Sequence, residues 1–60
     1  MDYEIIETRG SQVSIEGKMS ALNSLPKDVG AGSDAILIDD SGSSHIYVFF
    51  AFLNDWVEVK

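Results

Sequence analysis

The chain has 60 residues, ten acidic against four basic, with one histidine and no cysteine. That length holds a single domain and excludes a cofactor cleft enclosed beside a core. Disulfides are absent, and so are the usual zinc ligand sets. The net charge of −6, with Arg9, Lys18, Lys27 and Lys60 scattered, excludes a nucleic-acid-tracking surface and disfavours anionic membranes.

Taken in chain order, residues 3–8 are expected to form a strand carrying Ile5 and Ile6 among acidic neighbours. Met1 to Glu7 lacks the apolar segment of a secretion signal, so the chain is expected to be made in the cytosol. Gly10 marks a turn. From Val13 to Met19 the sequence alternates, with Val13, Ile15, Gly17 and Met19 on one side and Ser14, Glu16 and Lys18 on the other. That period of two predicts a half-buried strand at 12–19 and an antiparallel hairpin with the first segment. Ser20 to Pro26 has room for one short helical turn, capped at Ser20 and stopped at Pro26. Lys27 to Asp34, with Gly30 and Gly32, reads as a Gly-rich loop without the lysine or strand-to-helix context of a phosphate cradle.

The second half is expected to carry strands at 35–39, 45–53 and 56–59. Asp39-Asp40-Ser41-Gly42-Ser43-Ser44 is expected to form the polar hairpin loop between the first two. The acidic turns at Asp28, Asp34, Asp39 and Asp40 do not match a calcium loop and are read as solvated, with no metal. His45 stands alone and has no second histidine or cysteine with which to build a site. Ile46 to Leu53 is the most informative stretch, an apolar run too short to span a bilayer as a helix. Its aromatic and β-branched content predicts a strand apolar on both faces. Trp56, Glu58 and Lys60 alternate with Val57 and Val59.

These elements define an all-β module over residues 1–60: an N-terminal hairpin (1–19), a connector (20–34) and a β meander (35–60). The expected architecture is a small antiparallel sheet or set of hairpins, assembled as a homo-oligomer. Roughly 3,500 Å² of buried apolar area at about 25 cal/mol/Å² contributes on the order of 90 kcal/mol. Ordering the chain at about 1.5 kcal/mol per residue costs nearly the same. A sheet this small covers one of its faces, and a strand apolar on both needs a partner on the other. The expected interface residues are Ile46, Tyr47, Phe49, Phe50, Phe52 and Leu53. Either Val48, Phe50 and Phe52 fill the core and Tyr47, Phe49 and Leu53 face a neighbour, or the reverse. No residue set combines nucleophile, base and stabiliser, so an enzyme is not expected and no cofactor is implied.

Residues 19–59 resemble a pattern found in bacteriophage virion proteins, tail-fibre and related accessory subunits. The matching residues are Leu25-Pro26, Gly30, Gly32-Ser33-Asp34, the strand from Ala35 to Ile38, Tyr47-Val48 and Trp56-Val57. The pattern departs at Phe49-Phe50-Ala51-Phe52-Leu53, where a tight Asp-Gly turn is usual. The resemblance implies a structural subunit of the virion, attached to tail or head, partnered with itself as a trimer and with other virion proteins. Host-surface glycan adhesion is a further implication of it. Two other readings remain open: a carbohydrate-binding module stacking a sugar on Trp56 or Tyr47, and a small acidic intracellular inhibitor or adaptor.

Overall fold

The computed structural model describes residues 2–59. Its elements are β1 (Tyr3–Arg9), β2 (Gln12–Lys18), a 3-10 helix (Met19–Ser24), β3 (Asp34–Ile38), β4 (Ser44–Phe50) and β5 (Asp55–Val59). The protein is mostly β, as its alternating sequence predicts. The five strands form one sheet in the order β1-β2-β3-β4-β5. The expectation of an antiparallel sheet needs correction. β2 and β3 run parallel, while the other neighbours are antiparallel. A parallel pair needs a crossover connection, and residues 19–33 provide it. The helix they contain is 3-10, preceded by Lys18 with no side-chain cap; the hydroxyl of Ser20 instead donates to Asp2 at 3.1 Å.

The crossover lies against one face of the sheet. Ala21 and Leu25 are buried beneath it, with Met19, Leu22 and Val29 packed around them. Opposite them stand the core residues Val13, Ile15, Ala35, Leu37, Tyr47, Phe49 and Trp56. Cross-strand pairing places them in rows: Ile15, Ala35 and Tyr47 in one, Phe49 and Trp56 in the next. The rings of Phe49 and Trp56 meet edge-on, with centroids 5.4 Å apart.

The Gly-rich loop is pinned rather than free. Its Gly30 and Gly32 N–H groups donate to the carbonyls of Ser11 and Phe49, and Gln12 donates to the Ala31 carbonyl at 2.7 Å. Gly32 adopts φ +87, a left-handed conformation that glycine takes without a Cβ penalty. The fully buried Ser33 accepts from the Val13 N–H at 3.0 Å and donates to the Gly30 carbonyl at 2.7 Å. One hydroxyl thereby ties β2 to the loop.

The sequence expectation of a strand over 45–53 is shortened at its far end. β4 stops at Phe50, and residues 51–54 form a turn. The Leu53 and Asn54 N–H groups donate back to Phe50 and Ala51, and Asn54 adopts φ 51. The chain reverses once β4 reaches the limit of its neighbour β3, whose first residue Asp34 pairs with Val48. The structure also divides the alternatives at β4: Tyr47 and Phe49 fill the core, while Ile46, Val48 and Phe50 occupy the other face.

Ser33→Ala should destabilise the fold by about 1–3 kcal/mol, because it leaves the buried Val13 N–H without an acceptor. Urea denaturation followed by tryptophan fluorescence reads this directly, and an unchanged midpoint would contradict it.

Candidate functional site

Strand alternation and register place two unlike halves on the face opposite the crossover. On β1 and β2 this face is polar. Glu4 pairs with Glu16, and Glu7 pairs with Ser14 beyond a bulge at Ile6. Arg9 joins this half through Glu7 at 2.9 Å and Ser14 at 3.1 Å; Ser14 in turn donates to Asp34 at 2.8 Å. Asp34 was expected in a solvated turn. It begins β3 instead and is held by Ser14 and, at 3.7 Å, by Arg9.

On β3, β4 and β5 the same face is apolar apart from Asp34, Ser44 and Asp55, which begin the three strands. Ile36, Ile46 and Val59 form one cross-strand row, and Val48 pairs with Val57 in the next. Ile38 and Phe50 lie toward opposite ends. Among the described residues no element covers them: Ile38 is 51% exposed, and Ile46, Phe50 and Val59 are comparably open. Beyond Phe50 the turn exposes Phe52 at 99% and much of Leu53. Patches of this kind are uncommon on monomeric soluble proteins.

This arrangement revises the expected interface. Ile46, Phe50, Phe52 and Leu53 are exposed, as an interface requires, but Phe52 and Leu53 sit in a turn rather than on the strand. Tyr47 and Phe49 are 6% and 2% exposed and belong to the chain's own core, so neither is available to a neighbour. The same burial removes Trp56 and Tyr47 as sugar-stacking residues. The Trp56 ring is buried and its indole N–H donates to the Pro26 carbonyl at 2.9 Å. The Tyr47 hydroxyl points at the Met19 sulfur, and burial raises its pKa. The bare face also carries Ile36, Ile38, Val57 and Val59, which the sequence expectation does not include. The signal for the first two was legible: Ala35-Ile36-Leu37-Ile38 is apolar at every position, so it too has two apolar faces. The expected place of Lys60 on the Trp56 face lies outside the described residues.

On the crossover face, His45 is the centre of a charged cluster where the β3–β4 turn meets β5. Its Nε2 lies 2.8 Å from Asp39 and its Nδ1 3.0 Å from Glu58. The other Asp39 oxygen accepts from the Ser41 hydroxyl at 2.6 Å and from the Ser41 and Ser43 N–H groups. Those bonds, the Ser41 hydroxyl and His45 foremost, hold the Asp39 carboxyl well below the ordinary carboxylate range. The two carboxylates, Asp39 ahead of Glu58, raise the pKa of His45. The ring stands between the carboxylates, so they do not converge on one point. Among the described residues no group of three His, Asp or Glu side chains is placed to hold a metal ion. A cleft of about 390 Å³ opens between Asp2, Tyr3, Glu4, Glu16, Gly17, Ile36 and Ile38. Its carboxylates disfavour anions, and none of its lining residues pairs a nucleophile with a base. Among the described residues no helix is long and apolar enough to cross a membrane.

A search for relatives found no matching family model, no matching curated protein and no matching solved structure.

The His45 midpoint should titrate above 6.5, and Asp39→Asn should bring it back toward that value. A histidine whose pKa is raised by folding stabilises the fold fully below its unfolded pKa. The contribution is lost as pH rises through the folded value. Stability should therefore decline as pH rises from 6.5 through the raised midpoint, and His45→Gln should abolish that decline. Proton NMR titration and thermal melts at stepped pH check both statements.

Proposed function

We propose that this chain is a self-associating structural module that works through its uncovered sheet face and performs no chemistry of its own. The observation that carries this reading is the apolar half-face formed by β3, β4 and β5, bare along its length in a single copy. Covering it removes apolar area from water, which is the main favourable term in association. Such burial contributes about 1.5–3 kcal/mol for each large side chain fully covered. The virion setting rests on the resemblance of residues 19–59 to bacteriophage tail-fibre and accessory subunits. In that setting the module attaches to the tail or head through other virion proteins, with adhesion to a host surface as an added role. The sugar-stacking reading loses its support, since the aromatic rings it needs are buried. The inhibitor reading gains none, because Arg9 already engages Glu7 and Asp34 on the acidic half-face.

Light scattering on the purified chain at micromolar concentration should give a mass that is a multiple of 6.6 kDa. Phe50→Asp should yield a folded monomer, since Phe50 lies on the bare face. Phe49→Asp should unfold the chain: losing a core phenylalanine costs about 3–5 kcal/mol, comparable to the whole stability of a small domain. A monomeric wild type would overturn the proposal.

A further inference from the structure

We infer that the bare half-face is covered by the same half-face of a second copy, related by a two-fold axis running along β4, so that β3 of one copy lies over β5 of the other. This rests on the self-associating reading above and specifies its geometry.

The apolar residues are centred on β4. Ile36 and Ile38 flank it on the β3 side, and Val57 and Val59 on the β5 side. A half-turn about an axis along β4 exchanges these flanks. Ile36 then meets the partner's Val59, Ile46 and Val48 meet their own copies, and Asp34, tied to Ser14 and Arg9, lies at the edge beside the partner's Val57. An isologous contact of this kind closes with two copies, whereas a ring of three needs two different complementary surfaces, and the sheet offers one.

Charge selects this axis over its alternative. The acidic pair Glu4 and Glu16 lies on β1 and β2, beyond the apolar patch. With the axis along β4, the β1–β2 flank of each copy extends past the partner's β5 edge and stays in water. An axis running across the strands would stack β1 and β2 on their own copies. It would bring Glu4 and Glu16 of both copies together away from solvent, an unpaired burial of like charge.

Ile36, Ile38, Ile46, Phe50, Val57 and Val59 are each between a third and half exposed. Together they present an apolar area on the order of 500 Å², in the range of the largest patch on a typical monomer, which is often functional. Two copies that cover the patch fully bury about 1,000 Å², the size of a small interface, below the roughly 1,200–2,000 Å² of stable complexes. The axis keeps strand ends in register, so the 51–54 turns of the two copies, with Phe52, emerge at the same end of the particle.

The chain contains no cysteine, so single introduced cysteines can carry nitroxide labels without background. Glu4→Cys places the label on β1, in the exposed flank; Ser44→Cys places it on β4, beside the axis. Strands about 4.8 Å apart and sheets about 10 Å apart put the two Glu4→Cys labels roughly 30 Å from each other, and the two Ser44→Cys labels within about 15 Å. Pulsed dipolar spectroscopy reads the first distance, and line broadening reads the second. The expected result is a dimer by mass with the long distance at position 4 and broadening at position 44. A dimer with Glu4→Cys labels closer than about 20 Å, or without broadening at position 44, overturns the arrangement and leaves self-association standing. A trimeric mass does the same. A folded monomer with no inter-label coupling overturns both.

Discussion

A single crossover, residues 19–33, has to cover a five-stranded sheet, and it reaches one face of it. Everything else in the molecule follows from that shortage of material. The parallel pairing of β2 with β3 obliges the chain to pass over the sheet once. The passage seats Ala21 and Leu25 on a core built from Val13, Ile15, Leu37, Tyr47, Phe49 and Trp56. Among the described residues, no element crosses the other face. On β1 and β2 this is harmless, because Glu4, Glu7, Arg9, Ser14 and Glu16 are at home in water or in one another's company. On β3 to β5 it leaves isoleucine, valine and phenylalanine exposed.

The crossover itself is held by polar contacts as much as by apolar ones. Ser33, Gly30 and Gly32 continue the hydrogen bonding of β2 and β4 into the loop. Trp56 closes the far side through Pro26. A further tie is the ion pair of Lys27 with Asp55, which, after the Trp56 N–H, also lowers the Asp55 pKa. It lies at the surface, where such pairs contribute little. The clustering of His45 with Asp39 and Glu58 links the β3–β4 turn to the edge strand β5 in the same manner. These contacts secure the core face, while the apolar half of the other face stays exposed.

Much of the strand content was legible because alternation is a local property. Val13 to Lys18 announces a half-buried strand from its letters alone, and Gly10, Gly42 and Pro26 punctuate the chain where it turns. The parallel pairing was not legible, because nothing local distinguishes a hairpin partner from a crossover partner. The assignment of β4 residues to inside and outside depends on register, which Phe49 opposite Trp56 fixes only in three dimensions. The reach of Phe52 was misjudged for a related reason. An apolar run invites extension of the strand, but Asp34 is where its neighbour β3 begins, and β4 passes it by only Phe49 and Phe50 before turning. The β3 part of the candidate surface, Ile36 and Ile38, is visible as a second doubly apolar segment and gains its meaning only beside Ile46.

Under the proposed self-association, the folded chain is completed by a copy of itself on the bare half-face. Association that stabilises the native state makes the melting temperature depend on protein concentration. Thermal unfolding followed by circular dichroism over a hundredfold range of concentration tests this most directly. The account predicts a midpoint that climbs steadily with concentration in the wild type and stays constant in Phe50→Asp. A wild-type midpoint that does not move over that range would contradict it.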